Sequence, residues 1–178
     1  MKKKQEPPPM PSIYEAVKSQ DIVRLRECLK QGGNTDDFKG ALVNACEAGE
    51  TEIVKAFIKA GVFDSWAIVA AARFGHTDLV EWLLKHGGGN INAALIAAAA
   101  HNRIDSTRVL ISAAPDALDE ALADAALRGY SDVALLLFNA GANPGQPVYG
   151  GQTAIELARK NGHADIVKLF CQKGENNC

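Results

Sequence analysis

The side chains best suited to catalysis or metal binding are a few cysteines and histidines, and their spacing supports neither chemistry. The cysteines are Cys28, Cys46, Cys171 and Cys178, and no two form the Cys-x-x-Cys pair of a zinc site or redox motif. The histidines are His76, His86, His101 and His163, and none stands at zinc-finger spacing from a cysteine. We therefore expect no metal and no other cofactor.

An enzymatic site would have to be built on His101, because it is the histidine expected on an exposed face. No serine or cysteine nucleophile stands beside it in the sequence. The glycine run at 87–89 is not followed by the Lys-Ser or Lys-Thr pair of a phosphate-binding loop. We predict that the protein is not an enzyme, and an enzyme with a site near His101 remains the less favoured alternative.

Composition excludes several classes of partner. The 178 residues include 19 Lys and Arg against 21 Asp and Glu, a net charge of -2 that disfavours broad binding to nucleic acid. No run of 18 apolar residues is present, so we expect no membrane span. The first residues are lysine-rich and then proline-rich, without the apolar core of a secretory signal. We expect a cytoplasmic protein, in its own or a host cytosol, with reduced cysteines.

An internal repeat predicts the elements that position these side chains. Six positions, here called slots, align the chain: Gln20, Gly49, Gly75, Asn102, Gly129 and Gly162. Glycine suits a turn with positive φ between two helices. Four residues before each slot stands an alanine, which lets neighbouring helices approach closely: Ala16, Ala45, Ala71, Ala98, Ala125 and Ala158. Branched aliphatic residues seven positions before each slot complete the buried stripe. The pattern predicts stacked pairs of short helices, and Thr51, Thr77 and Ser131 are the predicted N-caps of three second helices.

Two stretches carry a family resemblance. Residues 151–170 read GQTAIELARKNGHADIVKLF and residues 75–84 read GHTDLVEWLL. Both closely resemble the ankyrin repeat, whose pattern is G-x-T-P-L-H-x-A followed by G-H-x-x-I-V-x-L-L. The resemblance implies an all-α solenoid of stacked antiparallel helix pairs, in which His76 and His163 are structural. It implies units at about 12–34, 35–61, 62–88, 89–115, 116–144 and 145–174, with a disordered proline-rich tail at 1–11 and a short tail at 175–178.

The sequence departs from the family pattern in two respects. The threonine–proline pair that opens the first helix is reduced to Thr153 in the last unit and is lost elsewhere. Successive slots are separated by 29, 26, 27, 27 and 33 residues, and the family period is ~33 residues. We predict shortened finger loops in the middle units and one fuller finger from Ala142 to Gln152.

The resemblance also implies the function. Ankyrin arrays bind other proteins on the concave face and loops, and we predict an adaptor, a scaffold or a stoichiometric inhibitor, monomeric and possessing no nucleic-acid or membrane partner. A bacterial or viral protein acting on host proteins fits the truncated repeats. The predicted partner-binding residues are Glu47, Trp66, Arg73, Phe74, His101, Leu127, Arg128, Tyr149, Lys160 and Asn161. Aromatic residues and arginine concentrate binding energy.

Structural interpretations of the same residues remain open. Trp66 could cover the apolar gap left by a short finger, and Phe74 could fold back on its own helix. Leu135 occupies a second-helix position that is charged in most other units. It either marks a self-association patch, as in a self-assembling structural protein, or is an ordinary surface leucine.

Overall fold

The computed structural model describes residues 12–32 and 34–173, with only the main chain described for Tyr149, Gln172 and Lys173. The predicted tails at 1–11 and 175–178 lie outside the described residues. The described chain forms α-helices, two short 3-10 turns at Pro115–Ala117 and Tyr149–Gly151, and no strand within its described ranges. The helices are α1 Ile13–Lys18, α2 Ile22–Gln31, α3 Thr35–Ala48, α4 Thr51–Lys59, α5 Ala67–Phe74, α6 Thr77–His86, α7 Ile91–Ala100, α8 Ile104–Ile111, α9 Leu118–Arg128, α10 Ser131–Asn139, α11 Ala154–Lys160 and α12 Ala164–Lys173.

The helices form two layers. Each odd-numbered helix packs on the even-numbered helix that follows it and on the odd-numbered helices of the neighbouring pairs. We call these the first-helix layer (α1, α3, α5, α7, α9, α11) and the second-helix layer (α2, α4, α6, α8, α10, α12). From α3 to α11, neighbouring first helices approach each other more closely than neighbouring second helices do, so the first-helix side is the concave side there. The predicted all-α solenoid is confirmed.

The alanine that stands four residues before each slot allows this close approach. All six of these alanines are completely buried. The same alanine takes part in the ending of its helix, since its carbonyl oxygen accepts a hydrogen bond from the N–H of the residue after the slot. The N···O distances are 3.0 Å from Asp21, 2.9 Å from Glu50, 3.0 Å from His76, 2.9 Å from Arg103, 3.0 Å from Tyr130 and 2.9 Å from His163. This six-to-one bond is the Schellman ending of a helix.

The slot residues adopt the left-handed backbone conformation that this ending requires. Their φ values are 55° at Gln20, 73° at Gly49, 83° at Gly75, 56° at Asn102, 80° at Gly129 and 79° at Gly162. The Schellman ending places the next residue at the N-cap of the second helix. The predicted threonine and serine N-caps are therefore wrong: the N-caps are Glu50, His76 and Tyr130, and Thr51, Thr77 and Ser131 are the first helical residues.

The connections between helix pairs differ in length. They are short at 60–66, 87–90 and 112–117, and longer at 140–153. In the long connection, the side-chain oxygen of Asn143 accepts a hydrogen bond from the Gly145 N–H at 2.9 Å. The Val148 N–H donates to the Gln152 carbonyl at 2.9 Å. This ordered loop occupies the predicted fuller finger, whereas the exact boundaries of the six units stay a prediction.

Candidate protein-binding face

A repeated hydrogen bond joins the turns of neighbouring helix pairs along the first-helix layer. The side-chain donor is the residue after a slot, and the acceptor is the carbonyl two residues before the preceding slot. His76 Nε2 lies 2.8 Å from the Glu47 carbonyl oxygen, Arg103 Nε lies 3.0 Å from that of Arg73, and His163 Nε2 lies 3.2 Å from that of Leu127. In each case a ring or guanidinium N–H donates to main chain, which confirms a structural role for His76 and His163.

Glycine at the slot makes room for this donor. A Cβ atom at Gly49 would lie 2.6 Å from the His76 ring, and one at Gly129 would lie 2.6 Å from the His163 ring. A Cβ atom at the last slot, Gly162, would meet nothing within 4 Å. The middle glycines are thus required both for positive φ and for space, whereas Gly162 is required for φ alone.

Three predicted partner-binding residues, Glu47, Arg73 and Leu127, supply these carbonyl acceptors. Their main chain is held by the next helix pair, and their side chains are not used in the hydrogen bond. The Arg73 side chain is exposed, whereas those of Glu47 and Leu127 are half-buried. A fixed main chain under an available side chain preorganises a binding surface, because little ordering remains to be done on association.

Arg73 and Phe74 form an exposed pair at the end of α5. The guanidinium carbon of Arg73 lies 5.6 Å from the centroid of the Phe74 ring, within cation–π distance. Phe74 is 42% exposed and also borders a cleft of about 300 Å³ between two turns, together with Asn102 and Arg103. Phe74 therefore does not fold away from solvent.

Trp66 is the N-cap residue of α5, at the opposite end of that helix from Phe74. It is 57% exposed, so most of its ring does not cover an apolar gap. Its N–H donates to the Asp64 carboxylate at 2.7 Å, which fixes the turn before α5. The structure therefore separates Trp66 from the Arg73–Phe74 pair along one helix.

The remaining predicted residues fall into two groups. The side chains of two of them form hydrogen bonds within their own helices. Half-buried His101 has its Nδ1 atom 2.9 Å from the Ala97 carbonyl oxygen, and exposed Asn161 has its Nδ2 atom 2.8 Å from the Leu157 carbonyl oxygen. Two cationic residues, Arg128 and Lys160, are exposed at helix ends. The Nε atom of Arg128 lies 3.9 Å from an Asp124 carboxylate oxygen. The Tyr149 main chain lies in a 3-10 turn of the long connection.

A family model described as ankyrin repeats, in three copies, matches residues 13–94, 42–121 and 68–148. The chain belongs to the ankyrin repeat family. Ankyrin repeats are generally protein–protein interaction modules. The chain is also similar to the crystal structure of EF0377, an ankyrin repeat protein, at 25% identity with a TM-score of 0.72, over 93% of this chain and 98% of that one. No match was found among curated protein sequences.

Within residues 12–32 and 34–173, no group of three or more His, Cys, Asp or Glu side chains is placed to hold a metal ion. Across the same ranges, no helix has the length and apolar character needed to cross a membrane. The side chains of Cys28 and Cys46 are both buried, and burial raises the pKa of the Cys46 thiol to about 12. The expectation of reduced cysteines is wrong for Cys171, which is disulfide-bonded.

Sequence reasoning missed two features of this ankyrin array that the sequence does signal. Wherever the preceding slot is glycine, the residue after the next slot is a histidine or an arginine, the donor of the hydrogen bond described above. In addition, Thr153 and Glu156 form a capping box at the start of α11: the Thr153 hydroxyl accepts from the Glu156 N–H at 3.2 Å, and the Glu156 carboxylate accepts from the Thr153 N–H at 2.9 Å. The Thr-x-x-Glu spacing is its signature.

Proposed function

We propose that this chain binds a partner protein through its first-helix layer and adjoining loops, acting as an adaptor, a scaffold or a stoichiometric inhibitor without catalysis. The partner is a protein with a mixed polar and apolar surface, because the predicted ladder combines Glu47, Arg73, Arg128 and Lys160 with Phe74 and Leu127. The chain acts as a monomer in the cytosol, its own or that of a host, with no nucleic-acid or membrane partner.

The observation that carries the proposal is the Arg73–Phe74 pair. Phe74 keeps 42% of its surface exposed at the end of α5, a short helix in which residues 67–72 are all buried in the core. Arginine and aromatic residues are enriched among the residues that dominate binding energy in protein interfaces. An aromatic ring buries a large area with only two rotatable bonds, and a guanidinium group offers several hydrogen-bond donors. The Arg73 carbonyl is bonded to Arg103, so the pair is presented on a fixed main chain.

The proposal is tested by a double substitution, Arg73→Ala with Phe74→Ala, in a pull-down followed by mass spectrometry. The inter-pair hydrogen bond uses the Arg73 carbonyl, so both substitutions leave it in place and the melting temperature should be unchanged. The wild-type chain should recover a defined protein that the double variant does not recover. Undiminished recovery by the double variant would show that the partner binds elsewhere.

Self-assembly is the second candidate function, and exposed Leu135 on α10 is the observation that favours it. Its side chain is 38% exposed in the second-helix layer. If the array assembles with itself through this residue, light scattering will show an oligomer that grows with concentration and that Leu135→Glu dissolves. A monomer at all concentrations leaves partner binding as the function.

A further inference from the structure

A second surface of the molecule is formed between α4 and α6. These two helices approach each other less closely than the other neighbouring members of the second-helix layer. The space between them is a groove of about 520 Å³, lined by Lys55, Ile58, Lys59, Phe63, Trp82 and His86. We call it the α4–α6 groove. It lies in the opposite layer from Arg73 and Phe74.

The walls of the α4–α6 groove are ordered aromatic side chains. The His86 ring stacks on Trp82 with centroids 4.4 Å apart and planes 12° apart. His86 Nδ1 lies 2.9 Å from the Trp82 carbonyl oxygen, which fixes the stacked position of the ring. Phe63, in the connection before α5, is 49% exposed. An apolar side chain entering the groove would therefore meet preformed aromatic surfaces.

The groove continues into a strongly cationic region. An adjoining cavity of about 230 Å³ between α2 and α4 shares Lys55 and Lys59 with the groove, and its other charged lining residues are Arg26, Lys30 and Glu52. Glu52 is paired with Lys55 at 2.7 Å. Four cationic side chains thus face one carboxylate across the two cavities, although the whole chain carries a net charge of -2.

We propose that the α4–α6 groove and its cationic extension bind an acidic segment of a partner protein that carries a large apolar side chain. The apolar side chain would pack between Phe63 and the Trp82–His86 stack, and flanking carboxylates would face Lys55, Lys59, Arg26 and Lys30. Complementary charge speeds association and sets the register of a segment, and a buried anchor supplies affinity. The chain's own first eleven residues do not fit, because they contain three lysines and one glutamate.

This site does not depend on the proposed function of the first-helix layer. Together, the two surfaces would let one array hold two proteins at once, the property that distinguishes an adaptor from a simple inhibitor. Occupation of the groove by a different partner leaves the Arg73–Phe74 pair available, so each surface can be removed without the other.

The probe is a library of random peptides displayed on phage and selected on the full chain. Enriched peptides should combine Asp or Glu with Phe, Trp or Leu. A synthetic copy is then titrated into Trp66→Phe, in which Trp82 is the single remaining tryptophan. We expect a change in Trp82 emission on binding and an affinity that falls at least about tenfold in Lys55→Glu with Lys59→Glu, and that weakens with added salt.

Two control variants locate the peptide. Arg108→Glu with Lys168→Glu makes the same change in net charge in the second-helix layer, outside the groove, and should retain the affinity of the wild type. Arg73→Ala with Phe74→Ala should also retain it. Loss of peptide binding in that variant instead would place the peptide on the first-helix layer, overturning the groove site and supporting the proposed function.

Other outcomes also overturn the groove site. These are a selection that enriches no peptide, enrichment of peptides without acidic residues, and unchanged affinity after charge reversal at Lys55 and Lys59. Binding of a single-stranded oligonucleotide or of phosphatidylserine vesicles through these lysines, without binding of acidic peptides, would identify a polyanion site in its place. Circular dichroism of each variant verifies that the helices are retained.

Discussion

The Nε2 atom of His163 lies 3.2 Å from the main-chain carbonyl oxygen of Leu127, in the preceding helix pair. The intervening space is open only because residue 129 is a glycine. The donor, the acceptor and the glycine come from fixed places in the repeat, and His76 and Glu47 repeat the arrangement at Gly49. Side-chain ties of this kind hold the ends of first helices in a common orientation, which is the basis of the proposed binding face.

Substitution of the slot glycines should separate the cost of conformation from the cost of space. Gly162→Ala meets only the left-handed backbone penalty, about 1–2 kcal/mol of unfolding free energy. Gly129→Ala has a similar φ and in addition places a Cβ atom 2.6 Å from the His163 ring, so its loss should be larger by about 1–3 kcal/mol. Urea unfolding followed by circular dichroism measures both. Equal losses in the two variants would contradict the spatial requirement.

Removal of the hydrogen-bond donor, His163, should show directly that positions 129 and 163 are energetically coupled. His163→Ala loses the bond to the Leu127 carbonyl, a cost of about 1 kcal/mol in unfolding free energy. In that background Gly129→Ala should cost no more than Gly162→Ala, because the clashing ring is gone. His86→Ala is the control, since exposed His86 bonds only within its own helix. Additive effects of the substitutions at 129 and 163 would refute the coupling.

The capping box at α11 should depend on an acceptor at position 156. Thr153→Ala should lower the unfolding free energy by about 1 kcal/mol, because a main-chain N–H of the first turn loses its partner. Glu156→Ala should lower it by a smaller amount, and Glu156→Gln should restore most of the loss, since the amide oxygen also accepts a hydrogen bond. Thermal melts of the three variants provide the measurement. A Glu156→Gln variant as unstable as Glu156→Ala would mean that charge, and not capping, is the contribution.

Cys46 should be inert in the folded array. Its side chain is completely buried, and burial raises its pKa to about 12, so almost no thiolate is present at pH 8. A thiol reagent followed by peptide mass spectrometry should leave Cys46 unmodified in buffer and modify it in urea. Rapid modification of Cys46 without denaturant would show that the helix pairs around it open.

The raised pKa of Cys46 also predicts that the unfolding free energy of the protein decreases at alkaline pH. The unfolded thiol ionises near pH 8.5–9, whereas the folded thiol stays neutral until about pH 12. Because the unfolded chain releases the Cys46 proton at a lower pH than the folded chain does, ionisation of this thiol favours unfolding. The unfolding free energy is therefore unaffected by Cys46 ionisation below about pH 8.5 and falls as the pH rises from there towards about pH 12. Wild type should lose unfolding free energy between pH 8.5 and 11 more steeply than Cys46→Ala. Parallel pH profiles would contradict the assignment.

Features of the fold could be predicted from the sequence where a local structural requirement, such as close helix packing or a positive φ, is met by the same residue type in most units. The alanine four residues before each slot is buried in every pair, and each slot residue has positive φ, so the repeat alone predicts the layers and turns. The N-caps were wrong by one residue because the Schellman ending shifts the start of the second helix. Correct placement of the cap required knowing which main-chain bond closes the turn.

The candidate site was less accessible to prediction. Position relative to the slot indicated exposure for Arg73 and Phe74, but Ala100, at an equivalent position, is buried. Asn161 donates to the Leu157 carbonyl of its own helix, a bond that its four-residue spacing permits but that the sequence does not distinguish from an orientation towards a partner. No feature of the sequence predicted the α4–α6 groove, because the distance between two second helices depends on the packing of the whole layer and not on any one repeat.

The central claim, that the first-helix layer binds a protein partner, is tested most directly by site-specific photocrosslinking in cells. Benzoylphenylalanine replaces Phe74 in one variant and Leu135 in a second, two positions that are 42% and 38% exposed in opposite layers. We predict that irradiation of the first variant yields a covalent adduct with one defined protein and that the second yields none. An adduct from position 135 alone, or from neither position, would contradict the claim.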